Sequence, residues 1–436
     1  MHQVDSIKMA ITLIEVENLA LDFYLKSGDF NGMSLANLST SLGIEFEELR
    51  EIILEGIGSD RLRIISSDHE LNPHVIREGF RDKEFQVNSL RSDNSHHTCV
   101  YPSIAALNDS LSEDECRGRP FERMLAEGQG QLEIVFFDLE LLEFYRNDPR
   151  YYYECNDIGG RICIEDEHYE SENMEEKDKV LLKAFGLAYD EDFNRYLAAF
   201  IGDVADLSPE HQNIWQAKHL TRPLKVHPDF YGSQILGRWP THISIFDAVL
   251  HEQRIINVMA RNIGKTSLFK NEFGRYLEEK PKEFAFMLRP TIHEYESFIH
   301  LLDKLMSDNI NKKFFKGDID VESETVRKDG KIQVTQKGTI SLLDEWLRKH
   351  YRTSDWEPWN FAISVFRNIR KQRQSPAHSV NVNKYDQSLI EKQRDLMQEV
   401  CEALMILRHA LRNHPACKDH DFEIPKALEE RKIWVV

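Results

Sequence analysis

Long apolar runs, paired cysteine motifs and a secretion signal are all missing from this sequence. No stretch approaches the roughly 18 consecutive apolar residues that a membrane-spanning helix requires. Residues 1–5 do not place a basic stretch before an apolar core, so no signal peptide is expected. The six cysteines include no pair at Cys-x-x-Cys spacing, and in a chain of this size we expect them to remain thiols. These absences predict a cytoplasmic protein that does not enter a membrane.

Positive charge is also in short supply. Lysine and arginine number 55 against 74 aspartate and glutamate residues, which gives a formal net charge of −19. A field of that sign repels nucleic acid and anionic lipid, so a nucleic-acid site would have to be a local basic island. The remaining composition, 41% hydrophobic and 30% charged, is that of a globular protein, and 436 residues correspond to about three domains.

Motifs for metals and nucleotides are incomplete. His96 to Cys99 and Cys417 to His420 come closest to a metal-ligand cluster, but neither has a second half at zinc-finger spacing. Residues 264–266, Gly-Lys-Thr, end like a phosphate-binding loop, but Met259 stands where that loop requires its first glycine. We therefore expect neither a metal site nor a bound cofactor.

Residues 1–80 carry a helix-rich pattern that ends in two short strands. Apolar residues at helical spacing predict helices over 7–26, from Ser34 to Gly43, and from Phe46 to about Gly56. Residues 62–65 and 70–72 are typical of a two-stranded wing. This succession resembles a winged helix-turn-helix module, and the resemblance implies DNA binding through the third helix.

The third predicted helix is poorly suited to that role. Its one arginine, Arg50, is surrounded by the carboxylates of Glu45, Glu47, Glu48, Glu51 and Glu55. The phosphates of a DNA groove would repel this helix. Docking of a protein partner, or self-association, therefore fits the module better than DNA binding does.

Residues 85–245 form a predicted mixed α/β domain of unknown role. Strands are predicted over 132–137, 161–164 and 196–201, and a helix over 138–145. The three consecutive tyrosines at 151–153 could stack on a base, although packing residues or a surface patch are commoner reasons for such a cluster.

Residues 285–436 are mainly helical by pattern. Apolar stripes predict four helices, over 292–306, 339–350, 359–371 and 386–413. Asp329-Gly330 is a turn signal that predicts a small hairpin arm before the second of them. Four principal helices favour an antiparallel bundle. The fold class expected for the whole chain is thus α+β, multidomain and mainly α, with a winged-helix-like module, a mixed α/β domain and a helical bundle.

One local basic island lies within the predicted bundle. Residues 359–385 contain no aspartate or glutamate and five cations, Arg367, Arg370, Lys371, Arg373 and Lys384. Arg370 and Arg373 are three residues apart, so they share one face of a helix. His378 follows just after Ser375-Pro376, where the helix should end. An RNA phosphate would be attracted here.

Residues 373–378, Arg-Gln-Ser-Pro-Ala-His, resemble the signature of the HEPN superfamily of helical-bundle ribonucleases and nucleotide-binding domains. That signature is an arginine followed by a histidine after four to six residues, and the resemblance covers roughly residues 290–415. Gln374 departs from the Asn, Asp or His that usually follows the arginine. Residues 408–414 form a second match, with Arg408 and His414 as its ends, but they lie on an apolar helix stripe that suggests packing.

The resemblance implies a metal-independent endoribonuclease of the toxin or antiphage type, assembled as a homodimer with its two motifs in one cleft. His378 would be the general base and Arg373 the phosphate-stabilising cation, roles that suit the two side chains. Arg367, Arg370, Lys371 and Gln374 would bind single-stranded RNA, and Arg408 with His414 is the alternative catalytic pair.

The alternative function is that of a non-catalytic regulatory protein that binds nucleic acid or protein through its winged-helix and dimerisation domains. Cleavage that required a metal would exclude the Arg–His mechanism. It would point instead to a carboxylate site, for which Asp303 and Asp308 are the first candidates.

Overall fold

The computed structural model describes most of the chain. The described residues are 11–77, 79–92, 96–112, 116–171, 174–273, 280–326, 332–374 and 382–435. They form a mixed α/β structure rich in helices. All six cysteines are free thiols.

The N-terminal unit contains the three predicted helices and a small antiparallel sheet. Its elements in chain order are α1 (Leu13–Lys26), β1 (Met33–Ser34), α2 (Leu35–Leu42), α3 (Phe46–Gly58), β2 (Leu62–Ile65), α4 (Lys83–Ser92) and β3 (Cys99–Pro102). Ser34 caps α2 by accepting a hydrogen bond from the Asn37 amide at 3.3 Å, and Gly43 ends it in the left-handed conformation. Local chain signals therefore set the bounds of α2.

The strand predicted over residues 70–72 is not present. The strand that pairs with β2 is β3, which lies centrally in the order β1-β3-β2. Leu71 is fully exposed, whereas Val100 in β3 is fully buried, so burial selects the later segment. The predicted boundary at residue 80 lies before β3, the central strand of this sheet, which ends at Pro102.

The N-terminal unit also shares buried contacts with the chain that follows it. Tyr24 and Tyr101 belong to the same buried cluster as Phe121. The Tyr24 hydroxyl donates a hydrogen bond to the carbonyl oxygen of Leu125 at 2.6 Å. A second, smaller core lies between α1, α2, α3 and the sheet.

The middle of the chain forms a larger antiparallel sheet with strand order β5-β6-β7-β8-β4-β9, and β10 pairs with β7. Its strands are β4 (Ile134–Phe137), β5 (Tyr151–Cys155), β6 (Gly159–Ile164), β7 (Leu181–Tyr189), β8 (Arg195–Phe200), β9 (His219–Leu220) and β10 (Lys225–Val226). Its helices are α5 (Ile104–Ser110), α6 (Pro120–Ala126), α7 (Leu142–Arg146), α8 (Asp166–Tyr169), α9 (Ile201–Ala205), α10 (Pro209–Gln216) and α11 (Pro228–Ile235).

The three predicted strands of this region correspond to β4, β6 and β8. The predicted helix over 138–145 is a 3-10 turn, Leu139–Leu141, followed by α7. The tyrosine cluster forms the start of β5, where Tyr151 and Tyr153 are buried. Those two rings are therefore packing residues, and neither is available to stack on a base.

The C-terminal part is helical. Its elements are β11 (Ile243–Ser244), α12 (Ile245–Asn262), α13 (Ile292–Leu305), β12 (Glu322–Val326), β13 (Ile332–Gln336), α14 (Thr339–His350), α15 (Glu357–Gln374), α16 (Ser388–Arg412), α17 (Pro415–Lys418), α18 (Lys426–Glu429) and β14 (Ile433–Trp434). The four predicted helices correspond to α13 to α16. The apolar stripe predicted for α16 is buried as expected.

Helix α12 lies before residue 285, where the helical bundle is predicted to begin. It packs along most of α16, and α16 also packs against α15 and α13. Residues such as Ile256 and Met259 of α12 are fully buried. We call the chain from Ile245 onward the helical unit.

The predicted hairpin is formed by β12 and β13, which pair antiparallel with each other. We call these two strands the arm. Most arm side chains are exposed, including those of Val326, Ile332 and Val334. The Asp329-Gly330 turn lies outside the described residues.

Val100 should be far more sensitive to side-chain truncation than an exposed valine of the arm. Val100 is fully buried in the central strand β3, whereas Val326 is 75% exposed. We expect Val100→Ala to lower the unfolding free energy of the N-terminal unit by about 1–3 kcal/mol, and Val326→Ala by less than about 0.5 kcal/mol. Native-state hydrogen exchange of the β1 and β2 amides measures the difference. Equal protection in the two variants would contradict the position of β3 between those strands.

Candidate functional site

The structure surrounds the predicted arginines with carboxylates. Arg370 and Arg373 lie one turn apart near the end of α15, as their spacing predicts. Asp303, in the last turn of α13, accepts hydrogen bonds from Arg370 Nε at 3.1 Å and from Arg373 Nη1 at 2.6 Å. Asp308, just beyond α13, accepts from Arg370 Nη2 and from Arg373 Nη1, both at 2.6 Å. We call these four residues the Arg–Asp cluster.

The two carboxylates of the cluster differ in burial. The Asp303 side chain has no exposed surface, whereas that of Asp308 is 42% exposed. Both arginines are partly exposed. A buried carboxylate is costly unless it is paired and hydrogen-bonded, so Asp303 holds the two guanidinium groups in place.

Because of this cluster, the two central arginines of the predicted basic island are paired with carboxylates. The formal charges of its two guanidinium groups and two carboxylates sum to zero. Lys304 of α13 and Lys371 of α15 are exposed and add positive charge to the same two helices. Attraction of a phosphate therefore depends on these neighbours and on the geometry of the arginines, rather than on a bare excess of charge.

The arginines retain hydrogen-bonding capacity. A guanidinium carries five N–H donors. Among the described residues, Arg370 uses two of them on Asp303 and Asp308, and Arg373 likewise makes two hydrogen bonds. The arginines therefore have donors to offer a further anion, while the buried Asp303 fixes the orientation of both groups.

The pKa of Asp308 reflects this environment. Partial burial alone would raise the pKa, but hydrogen bonds from Arg373 and Arg370, together with their charges, outweigh it and lower the pKa below its ordinary value. Asp308 is thus ionised at neutral pH, and its carboxylate meets the two arginines as an anion.

A histidine that the sequence analysis did not select lies near the cluster. His300 of α13 is exposed and stands one turn before Asp303. Its pKa is lowered by partial burial and by the positive charges of Lys304 and Arg373. The i, i+3 relation to Asp303 is visible in the sequence, but only the packing of α13 against α15 connects His300 with Arg373.

The structure does not include the other described residues predicted for this site in the Arg–Asp cluster. Arg367 donates a hydrogen bond to Asp344 of α14 at 2.8 Å, at the surface. Lys371 and Gln374 are exposed. His378 lies outside the described residues. The expected pair of Arg373 with His378 therefore stays a prediction, whereas the pairing of Arg373 with two aspartates is observed.

The second motif has a structural role. Arg408 is buried between α16 and α12, where its Nε donates to Glu252 Oε2 at 2.7 Å. Burial raises the pKa of Glu252, and the charge and hydrogen bond of Arg408 oppose that rise. His414 caps the short helix α17 by accepting a hydrogen bond from the Ala416 amide through Nδ1. Arg408 is thus enclosed by protein, and its charge serves the α12–α16 contact.

In the described ranges, no group of three or more His, Cys, Asp or Glu side chains is arranged so that it could hold a metal ion. No helix within the described part of the chain is both long enough and apolar enough to cross a membrane.

Comparison with known proteins gives no match. No protein-family model, no curated protein and no solved structure is detectably similar to this chain.

Removal of the buried arginine of the second motif should destabilise the helical unit. We expect Arg408→Ala to cost about 3–5 kcal/mol, because Glu252 would be left buried and unpaired. The double variant Glu252→Met with Arg408→Met should recover most of that loss, since a well-packed apolar pair can replace a buried ion pair. Thermal unfolding of the single and the double variant measures the loss of stability and its recovery. A single variant as stable as the wild type would exclude the structural role.

Proposed function

We propose that the helical unit, from Ile245 onward, cleaves RNA at a site in which Arg373 contacts the scissile phosphate and His378 accepts the proton of the 2′-hydroxyl. The observation that carries the proposal is the 2.6 Å contact of Arg373 with the fully buried Asp303. His378 follows in the sequence after four intervening residues. The combination of Arg373 with His378 is the one expected from the HEPN-like signature of residues 373–378.

The proposed reaction is a transesterification that needs no metal. The 2′-oxygen forms a bond to phosphorus as the bond from phosphorus to the 5′-oxygen breaks, and the 5′-oxygen leaves with a proton taken from a general acid or water. His378 takes the proton of the 2′-hydroxyl, for which an unperturbed pKa near 6.5 is suitable. Arg373 stabilises the charge that accumulates on the phosphorane oxygens.

Orientation of the arginine supports this role. A guanidinium fixed by a buried carboxylate needs little rearrangement as negative charge develops in the transition state. Asp303 supplies this constraint from α13, and Arg370 shares it. The exposed Lys304 and Lys371 would attract the RNA backbone towards the otherwise neutral cluster.

The assembly and biological type follow from the resemblance and are part of the same proposal. HEPN-like ribonucleases usually act as homodimers with both motifs in one cleft, so we propose a homodimer that acts on single-stranded RNA. The N-terminal unit and the middle of the chain would restrain or trigger cleavage by the helical unit, in the manner of a toxin or antiphage effector.

The N-terminal unit supports a second role, docking of a protein. Its order of helices and strands, with a three-stranded sheet β1-β3-β2, suits the winged-helix-like module that we propose for it. The face that would meet DNA carries the exposed carboxylates of Glu47, Glu48, Glu51 and Glu55, and α4 packs against α3. A regulatory protein without catalysis would have the same N-terminal surface, so the RNA assay decides between the two functions.

The direct test uses purified full-length protein with labelled single-stranded RNA in excess EDTA. We expect cleavage to persist, because neither His378 nor Arg373 requires a metal. Binding without cleavage would favour the non-catalytic alternative. Loss of activity in EDTA with recovery in Mg²⁺ or Mn²⁺ would exclude the Arg–His mechanism.

Substitutions separate the two motifs. We expect His378→Ala and Arg373→Ala to lower turnover by about 10²–10⁴-fold, and Arg373→Lys not to restore it, because an ammonium cannot replace the fork of N–H donors. His414→Ala is the matched control. It removes a helix cap, so it should cost about 1 kcal/mol of stability and leave turnover nearly unchanged. An inactive but folded His414→Ala beside an active His378→Ala would show that the wrong motif was chosen.

A further inference from the structure

The two aspartates of the Arg–Asp cluster are held in different ways. Asp303 is enclosed between α13 and α15 without exposed surface, and its carboxylate cannot leave the arginines without becoming a buried, unpaired charge. Asp308 lies on the turn after α13, with 42% of its side chain exposed. Its carboxylate can exchange its arginine partners for water by side-chain rotation alone.

The backbone of Asp308 is nevertheless fixed. Its amide donates to the Asp303 carbonyl oxygen at 3.0 Å, and Lys270 Nζ donates to the Asp308 carbonyl oxygen at 2.5 Å. The turn therefore returns the carboxylate to the same place opposite the two arginines whenever nothing else occupies it.

The exposed carboxylate has the recognition chemistry of a phosphodiester. Asp308 presents Oδ1 to Arg370 Nη2 and Oδ2 to Arg373 Nη1, each at 2.6 Å. The two non-bridging oxygens of a phosphodiester carry the same single negative charge and can accept from the same pair of guanidinium groups. A carboxylate and a phosphate cannot both occupy this position.

We propose that the place taken by the Asp308 carboxylate is the phosphate subsite, and that RNA binds by displacing Asp308 from Arg370 and Arg373. Asp303 remains on both arginines throughout and acts as a positioning residue. Asp308 thus lowers the affinity for RNA, because the phosphate must compete with the Asp308 carboxylate for the two arginines. This inference rests on the proposed function, because it assumes that the arginines bind RNA phosphate.

The inference gives the two aspartates opposite effects on RNA binding. Asp308→Asn and Asp308→Ala remove the competing charge and should tighten RNA binding at least threefold. Asp303→Asn removes the anchor and should weaken binding at least threefold. Glu345→Gln is the matched control, because it removes a carboxylate of similar exposure from Lys337, a residue that is not assigned to RNA binding. It should change the dissociation constant less than twofold.

The experiment uses full-length protein and a fluorescein-labelled single-stranded RNA with 2′-O-methyl groups, which cannot be cleaved through a 2′-hydroxyl. Fluorescence anisotropy gives the dissociation constants of wild type, the Asp308, Asp303 and Glu345 variants, and Arg373→Ala at one fixed ionic strength. Thermal unfolding checks that each variant is folded. If Asp308→Asn fails to fold, Asp308→Ala provides the same comparison.

The possible outcomes separate the inference from the proposed function. Tighter binding by the Asp308 variants and weaker binding by Asp303→Asn and Arg373→Ala support both. Unchanged or weaker binding by the Asp308 variants, with weaker binding by Arg373→Ala, overturns the subsite and leaves the proposed function standing. Tighter binding by Asp303→Asn and Glu345→Gln as well would show that the effect is one of general charge, and it would overturn the inference. An Arg373→Ala variant that binds RNA as well as wild type overturns the proposed function itself.

Discussion

The fully buried carboxylate of Asp303 is the constraint on which the charge arrangement of the helical unit depends. It lies where α13 meets α15, and its burial is tolerated there because two guanidinium groups reach it. The same contact fixes the end of α15, from which the chain continues into the segment that contains His378. One buried charge therefore links the packing of two helices to the orientation of the arginine proposed to act on phosphate.

A second buried ion pair has a different consequence. Arg408 and Glu252 are almost completely enclosed between α16 and α12, so their charges are used within the helix contact. The Arg–Asp cluster instead keeps one carboxylate and two arginines partly exposed. The two Arg-to-His segments look alike in sequence, but the burial of the arginine differs between them. Arg408 is buried in a helix contact, whereas Arg373 is partly exposed and belongs to the candidate site.

The features that could be predicted from the sequence are those that depend on short-range patterns. The apolar stripes of α13 to α16 gave helix bounds within about three residues of the structure, because helical periodicity is local. The strand β7 was missed because Gly186 and Ala188 have low strand propensity, and their strand conformation depends on neighbouring strands and on Phe230, which covers Gly186. Likewise, β3 lies more than thirty residues beyond β2, and only tertiary pairing brings them together. The pairing of Asp303 with Arg373 is of the same kind, since 70 residues separate the two.

The ends of the RNA products test the central claim most directly. The account predicts that full-length protein in EDTA converts single-stranded RNA to fragments with 2′,3′-cyclic phosphate and 5′-hydroxyl ends, identified by mass spectrometry. These ends require attack by the 2′-oxygen, the step assigned to His378 and Arg373. Fragments with 3′-hydroxyl and 5′-phosphate ends, or RNA that remains intact, would contradict it.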